Sequence, residues 1–150
     1  MRIRTFDDLT DWKERIPRLL DELRAMLQDP AFAGDLSVAS LDPLDAFLMQ
    51  SFGKSADILK KEAAPVHDAA AAYIGEVYLR NIGSEWDWEM VYPENHMYYG
   101  WPVVESIEVA TLMVCPHGSV MSRLNQRTDM TLRKAYEKIK QYHDREVQRP

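Results

Sequence analysis

The strongest constraint on the fold is a change in the spacing of apolar residues along the chain. Between residues 9 and 26 apolar positions recur every three or four residues, which is the spacing of one face of an α-helix. Between residues 85 and 92 they alternate with acidic residues, so that Trp86, Trp88, Met90 and Tyr92 share one side. Such alternation is typical of a strand with one buried side. The chain therefore combines helices with a sheet.

Helices are predicted on both sides of this strand. They are expected at Leu9–Met26, from Asp42 to Gly53, from Pro65 to Gly83, through Val120–Leu124, and from a cap at Thr128 or Asp129 through Leu132, Ala135, Tyr136, Ile139 and His143. Pro17 lies inside the first helix and lacks the N–H that would bond to residue 13. We expect either a kink there or a split into two helices.

These elements predict a single α+β domain over residues 1–150. The segment from Val103 to Val114 is rich in β-branched residues and indicates one or two further strands. Because helices precede and follow the strands without strict βαβ alternation, we expect a small antiparallel sheet of about three strands packed against N- and C-terminal helices.

Charge and composition argue against several classes of protein. The chain has 24 acidic and 18 basic residues and a net charge of −6, which repels phosphate backbones, so nucleic acid is not an expected partner. The basic stretch from Arg123 to Arg149 is interrupted by acidic residues and predicts a solvated helix face. Neither a membrane span nor a secretory leader at Met1–Leu9 is indicated. The single cysteine, Cys115, favours a cytoplasmic location.

Residues 72–88 carry a recognisable pattern. Y-x-G-E stands at residues 73–76, followed by Gly83 and by Trp86 and Trp88 at the start of a strand. This pattern resembles a helix-to-strand core of small uncharacterised bacterial proteins of the domain-of-unknown-function type. The resemblance implies a fold and a bacterial source, and it implies no activity or catalytic residue.

Two residues of this pattern also have a physical interpretation. A glycine inside a helix is about 0.5–1 kcal/mol less favourable than alanine, so we expect Gly75 to allow close approach of another backbone segment. Ala69 and Ala72 extend this small-residue face. Glu76 precedes Arg80 by four residues, which predicts an ion pair along the helix.

The triplet Cys115-Pro116-His117 is a candidate for catalytic or metal chemistry, because a histidine close to a thiol can act as its base. The triplet does not have a zinc-site spacing, and there is no second cysteine to complete a closed site. We therefore expect Cys115 to be a small buried residue. Since the common catalytic signatures are also absent from the sequence, we predict no catalytic residue, no metal and no cofactor.

Aromatic residues crowd into a short segment after the predicted strand, around a histidine and beside acidic side chains. Aromatic side chains are enriched at the centres of protein interfaces, and negative charge favours a basic protein partner. The predicted binding residues are Glu85, Asp87, Tyr92, His96, Tyr98, Tyr99 and Trp101. The alternative is that Tyr98, Tyr99 and Trp101 fold back over the sheet edge as a lid of the core.

Three functional hypotheses follow. The first is a protein-binding module, such as an immunity, adaptor or regulatory protein, without catalytic activity. The second is a small-molecule-binding protein or enzyme that uses a cleft near His96, His117 and Glu105. The third is a subunit of a homodimer, in which the apolar face from Leu9 to Met26 is exposed in the monomer.

Overall fold

A central helix organises the structure. The computed structural model describes residues 2–82, 86–110 and 112–150. Its elements are α1 (Phe6–Leu27), α2 (Leu41–Ser51), α3 (Ser55–Ile58), a 3-10 turn (Lys61–Ala63), α4 (Ala64–Asn81), β1 (Trp86–Glu89), β2 (Val103–Ser106), β3 (Met113–Val114), α5 (Pro116–Asn125) and α6 (Leu132–Val147). Every residue of α4 from His67 to Gly75 is buried. A helix buried on all sides has to be surrounded by other elements, and α1, α5 and the sheet pack against α4.

The first helix is one uninterrupted element of 22 residues. Thr5 and Asp8 form a capping box, in which the side chain of each accepts a hydrogen bond from the backbone N–H of the other. Of the two alternatives expected at Pro17, a kink or a split, the split is wrong: buried residues before and after Pro17 hold one continuous helix against the core despite the lost hydrogen bond. The face from Leu9 to Leu23 is covered by the chain itself. It is therefore not the exposed face that the homodimer hypothesis required.

Three antiparallel strands form the sheet in the order β1-β2-β3. Its inner side contributes Trp86, Trp88 and Val104 to the main core. Asp87 of β1 lies opposite Glu105 of β2 on the other side of the sheet. The alternation along the sequence thus predicted which side of β1 is buried.

The predicted fold class is confirmed as α+β, with a small antiparallel sheet and helices at both ends of the described chain. The cap of α6 differs from the expectation: Thr131, and neither Thr128 nor Asp129, accepts a hydrogen bond from the Lys134 N–H. Gly83 and Glu85, expected at the end of α4 and the start of the strand, lie outside the described residues. No helix in the described residues combines the length and the apolar character needed to cross a bilayer.

Trp88 of β1 packs directly against Gly75 of α4. A Cβ atom at position 75 would overlap the six-membered ring of Trp88, so only glycine leaves room for the indole. The indole N–H donates a hydrogen bond to Glu76 Oε1 at 3.0 Å. The close approach expected at Gly75 is therefore that of a side chain, Trp88, and not that of another backbone segment. Glu76 binds Trp88, and it forms no ion pair with Arg80 among the described residues.

A buried ion pair connects three helices. Arg123 of α5 donates two hydrogen bonds to the carboxylate of Asp45 on α2, at 2.7 and 3.0 Å. Asp45 also accepts from the Leu132 N–H at the start of α6, at 3.0 Å. The Arg123 guanidinium also donates hydrogen bonds to the backbone carbonyls of Gln126 and Thr128. The predicted solvated basic face is thus wrong at Arg123, because a carboxylate distant in sequence neutralises it inside the protein.

Gly75→Ala is expected to lower the free energy of unfolding by about 1–3 kcal/mol, because the added methyl group displaces the Trp88 ring. At an exposed helical site the same change stabilises by about 0.5–1 kcal/mol, so the two effects have opposite signs. Gly53→Ala is the matched control, since a Cβ atom there meets the Asp57 carboxylate at 3.5 Å, an ordinary contact. Urea denaturation compares the two variants. A Gly75→Ala protein as stable as the wild type would contradict this packing.

Candidate functional site

The loop from Tyr92 to Trp101 is fixed by its own backbone. Three successive hydrogen bonds of 3.0 Å, each spanning three residues, fold positions 93–101 into consecutive turns. Gly100 has a φ of 90°, which glycine adopts without strain. Its carbonyl accepts a hydrogen bond from the Ile3 N–H at 2.8 Å, so the loop is tied to the start of the described chain. The backbone of this loop is therefore held in a defined conformation.

Tyr98 and Trp101 turn inwards from this loop. They pack over a small apolar cluster formed by Val91, Val103 and Cys115, separate from the main core. For these two rings the structure fits the lid alternative. A lid that is packed in this way positions the rest of the loop.

Tyr92, at the start of this loop, is 62% exposed. Its ring meets the ring of Phe6 from α1 edge-on, with 6.2 Å between the centroids. Phe6 is 65% exposed, and Met97 of the same loop is 79% exposed. His96 and Tyr99 are half-buried. Phe6 and Met97 were missed from sequence, because an isolated apolar residue carries no periodic signal.

Acidic side chains occupy part of the sheet's outer side. Glu89 shares that side with Asp87 and Glu105, and burial together with the charge of Glu89 raises the pKa of Glu105. Lys13 of α1 forms an ion pair with Asp87 at 3.3 Å. Facing carboxylates destabilise a sheet unless cations screen them. The predicted binding residue Glu85 lies outside the described residues.

His117 is completely buried between helices. Its Nε2–H donates to Asp68 Oδ1 at 2.9 Å, and its carbonyl accepts from the His67 Nε2–H at 3.1 Å. The Trp101 ring lies over the imidazole, with centroids 4.5 Å apart. Burial lowers the pKa of His117 to about 4, so the ring is neutral at pH 7. Burial also disfavours the charged form of Asp68, but the His117 hydrogen bond and the Arg15 guanidinium hold the pKa of this carboxyl below its usual value.

The His117–Asp68 pair has the geometry of an acid–base dyad without access to a substrate. His117 Nδ1 is buried and has no hydrogen-bond partner among the described residues. Burial raises the pKa of Cys115 to about 11, so its thiol is protonated at pH 7. The expected burial of Cys115 is confirmed. No three metal-ligating side chains of the described residues are grouped so that they could hold a metal ion.

A cleft of about 460 Å³ opens between α5 and α6. Tyr78, Tyr98 and Val114 line it together with residues of both helices, and Cys115 lies in its wall. His96, His117 and Glu105 do not line this cleft. It was missed from sequence, because its walls come from separate parts of the chain. The signal that could have indicated it is the group of small residues on α5 that line the cleft, namely Gly118, Ser119 and Ser122.

The geometry thus defines an α+β protein with a rigid aromatic loop on the outer side of its sheet and a cleft beside that loop. No protein-family model, curated protein or solved structure matches the chain. Indications of its function therefore lie in its own residues.

The free energy of unfolding is expected to fall as the pH is lowered from about 6.5 towards 4. His117 takes up a proton near pH 6.5 when unfolded and near pH 4 when folded, so acid favours the unfolded state. Burial lowers the pKa of His67 in the same sense, and the lowered pKa of Asp68 extends the loss to more acid pH. The total loss is on the order of 1–3 kcal/mol. Urea denaturation from pH 7 to pH 4 should show a shallower dependence in His117→Gln, and an identical dependence would contradict the assignment.

Cys115 is expected to react with a thiol reagent on the order of a hundredfold more slowly in the folded protein than in the urea-unfolded chain. The reacting species is the thiolate, and the raised pKa of Cys115 makes it scarce. Absorbance-monitored labelling at pH 7.5 measures both rates. Equal rates would show that the thiol is accessible and ionised in the folded state.

Proposed function

We propose that this protein is a protein-binding module without catalytic activity, of the immunity, adaptor or regulatory kind, whose partner docks on the loop from Tyr92 to Trp101. The observation that carries the proposal is the pair of exposed rings Phe6 and Tyr92, with Met97 on the same loop. Aromatic and methionine side chains are enriched at protein interfaces. A loop already held by its own hydrogen bonds loses little entropy on binding.

The predicted binding residues have two roles in this proposal. Tyr92, His96 and Tyr99 contact the partner. Tyr98 and Trp101 support the loop from beneath, because they pack on the small cluster of the sheet. Arg2 packs over the Trp101 ring, with its guanidinium carbon 4.8 Å from the ring centroid. Substitutions at Trp101 would therefore report on the fold as well as on binding.

The acidic side chains favour a basic partner. Asp87, Glu89 and Glu105 lie on the same side of the sheet as the supporting rings, and Glu85 belongs to the same proposal. Surface charge of this kind mainly accelerates association, whereas the apolar contacts slow dissociation.

The small-molecule alternative near His96, His117 and Glu105 receives less support. His117 is completely buried, and its side chain is hydrogen-bonded to Asp68.

Two further expectations stay part of the proposal. The pattern at residues 72–88 indicates a bacterial source, and the single cysteine indicates a cytoplasmic location.

Tyr92→Ser combined with Met97→Ser is expected to weaken partner binding at least tenfold, mainly through faster dissociation, because the change removes the apolar centre of the interface. Leu59→Ser is the matched control, since Leu59 is also a large apolar residue, 52% exposed, but lies on α3. Partners captured from a lysate by the wild type are identified, purified and measured by surface plasmon resonance. Equal affinity of all three proteins for every captured partner would contradict the proposal.

Glu85→Gln combined with Asp87→Asn is expected to slow association with that partner and to flatten its dependence on salt. Asp129→Asn is the control, because Asp129 is an exposed acidic residue outside the sheet. Association rates at low and high ionic strength decide the question. If the double variant and the wild type show the same salt dependence of association, the acidic side of the sheet does not contribute to the interface.

A further inference from the structure

The cleft between α5 and α6 has the size and the walls of a small-molecule site. Its volume of about 460 Å³ falls within the roughly 300–1,000 Å³ of most ligand pockets. Its apolar walls come from Tyr98, Val114, Leu132 and Ile139, with Tyr78 of the central helix also in the lining. The rings are held in place, because Tyr98 belongs to the packed loop and Tyr78 contacts the Tyr136 ring at 5.1 Å. The cleft is thus preformed, with apolar side chains in its walls and the polar side chains of Ser119, Ser122, Gln126 and Thr131 beside them.

The charge of this cleft differs from that of the whole molecule. The chain has more acidic than basic residues, yet the lining contains Arg123 and Lys138 and no carboxylate of the described residues. The charge of Arg123 is neutralised by its two hydrogen bonds to Asp45. Lys138 is exposed and forms no ion pair within the described residues. One positive charge is therefore left for a ligand.

We propose that this cleft binds an amphipathic carboxylate, a molecule with an apolar chain of medium length and a single negative charge. The chain occupies the space between Tyr98, Val114 and Ile139, and the carboxylate lies at Lys138. A single lysine matches a monoanion better than a phosphate, which carries more charge. A neutral ligand would gain no charge interaction, and a cationic one would be repelled by Lys138. The proposed ligand does not compete for the residues assigned to the protein partner, since Tyr92, His96, Met97 and Tyr99 do not line the cleft; only the supporting residue Tyr98 is shared.

Octanoate, octanol and octylamine are the probes, because they share one apolar chain and differ in charge. Isothermal titration calorimetry on the wild type is expected to rank their affinities in the order octanoate, octanol, octylamine. Absence of octanoate binding at millimolar concentration, or octylamine binding as tight as octanoate, would overturn the proposal.

Two variants locate the site. Lys138→Met is expected to weaken octanoate binding about two- to fivefold, the range of an exposed ion pair, and to leave octanol binding unchanged. Ala135→Leu fills the cleft, since Ala135 lines it, and is expected to weaken both ligands at least tenfold. Both replacements are good helix formers, and circular dichroism verifies the fold.

Lys134→Met is the matched control, because it removes the same charge from an exposed position of α6 that does not line the cleft. It should bind octanoate like the wild type. Equal weakening by Lys134→Met and Lys138→Met would reduce the effect to general charge attraction and overturn the assigned site. Full octanoate affinity in a folded Ala135→Leu protein would also overturn it.

Discussion

The contact between Trp88 and Gly75 joins the sheet to the helical part of the molecule. The indole lies on the backbone of α4, donates to Glu76, and meets the ring of Trp12 of α1 edge-on at 5.5 Å. Tyr73, two residues before the glycine, bonds through its hydroxyl to Ser40 at 2.6 Å and so ties α4 to the segment before α2. The Y-x-G-E pattern thus has a physical meaning, since its tyrosine holds the segment before α2 and its glycine and glutamate together hold Trp88 of β1.

The position of the proposed binding surface depends on that contact. With Trp88 turned towards α4, alternation places Asp87 and Glu89 on the outer side of the sheet. The same side continues into the apolar cluster that Tyr98 and Trp101 cover. Tyr98 contributes to this lid and to the wall of the cleft, so the loop and the cleft share one rigid component.

Features that repeat along the chain could be predicted from sequence. The face of α1, the alternation of β1 and the inward side of α6 at Tyr136 and His143 follow from local spacing alone. Contacts between distant residues could not be predicted. Arg123 resembles any other basic residue of its stretch until the fold brings Asp45, 78 positions away, against it. The cleft and the Phe6–Tyr92 contact have the same origin, because each needs several elements to be in place.

The bridge between Ile3 and Gly100 has a consequence for synthesis of the protein on the ribosome. At 5–20 residues per second, roughly 5–20 s separate the emergence of the two residues. The helix α1 can meet α4 earlier, since α4 ends at Asn81, but the loop cannot close onto the start of the chain until Gly100 has left the exit tunnel. A nascent chain can therefore form the contact between α1 and α4 before the loop closes. The loop that carries Tyr92 and Met97 reaches its final position only after Gly100 has emerged, so a chain that stops before this residue lacks the proposed binding surface.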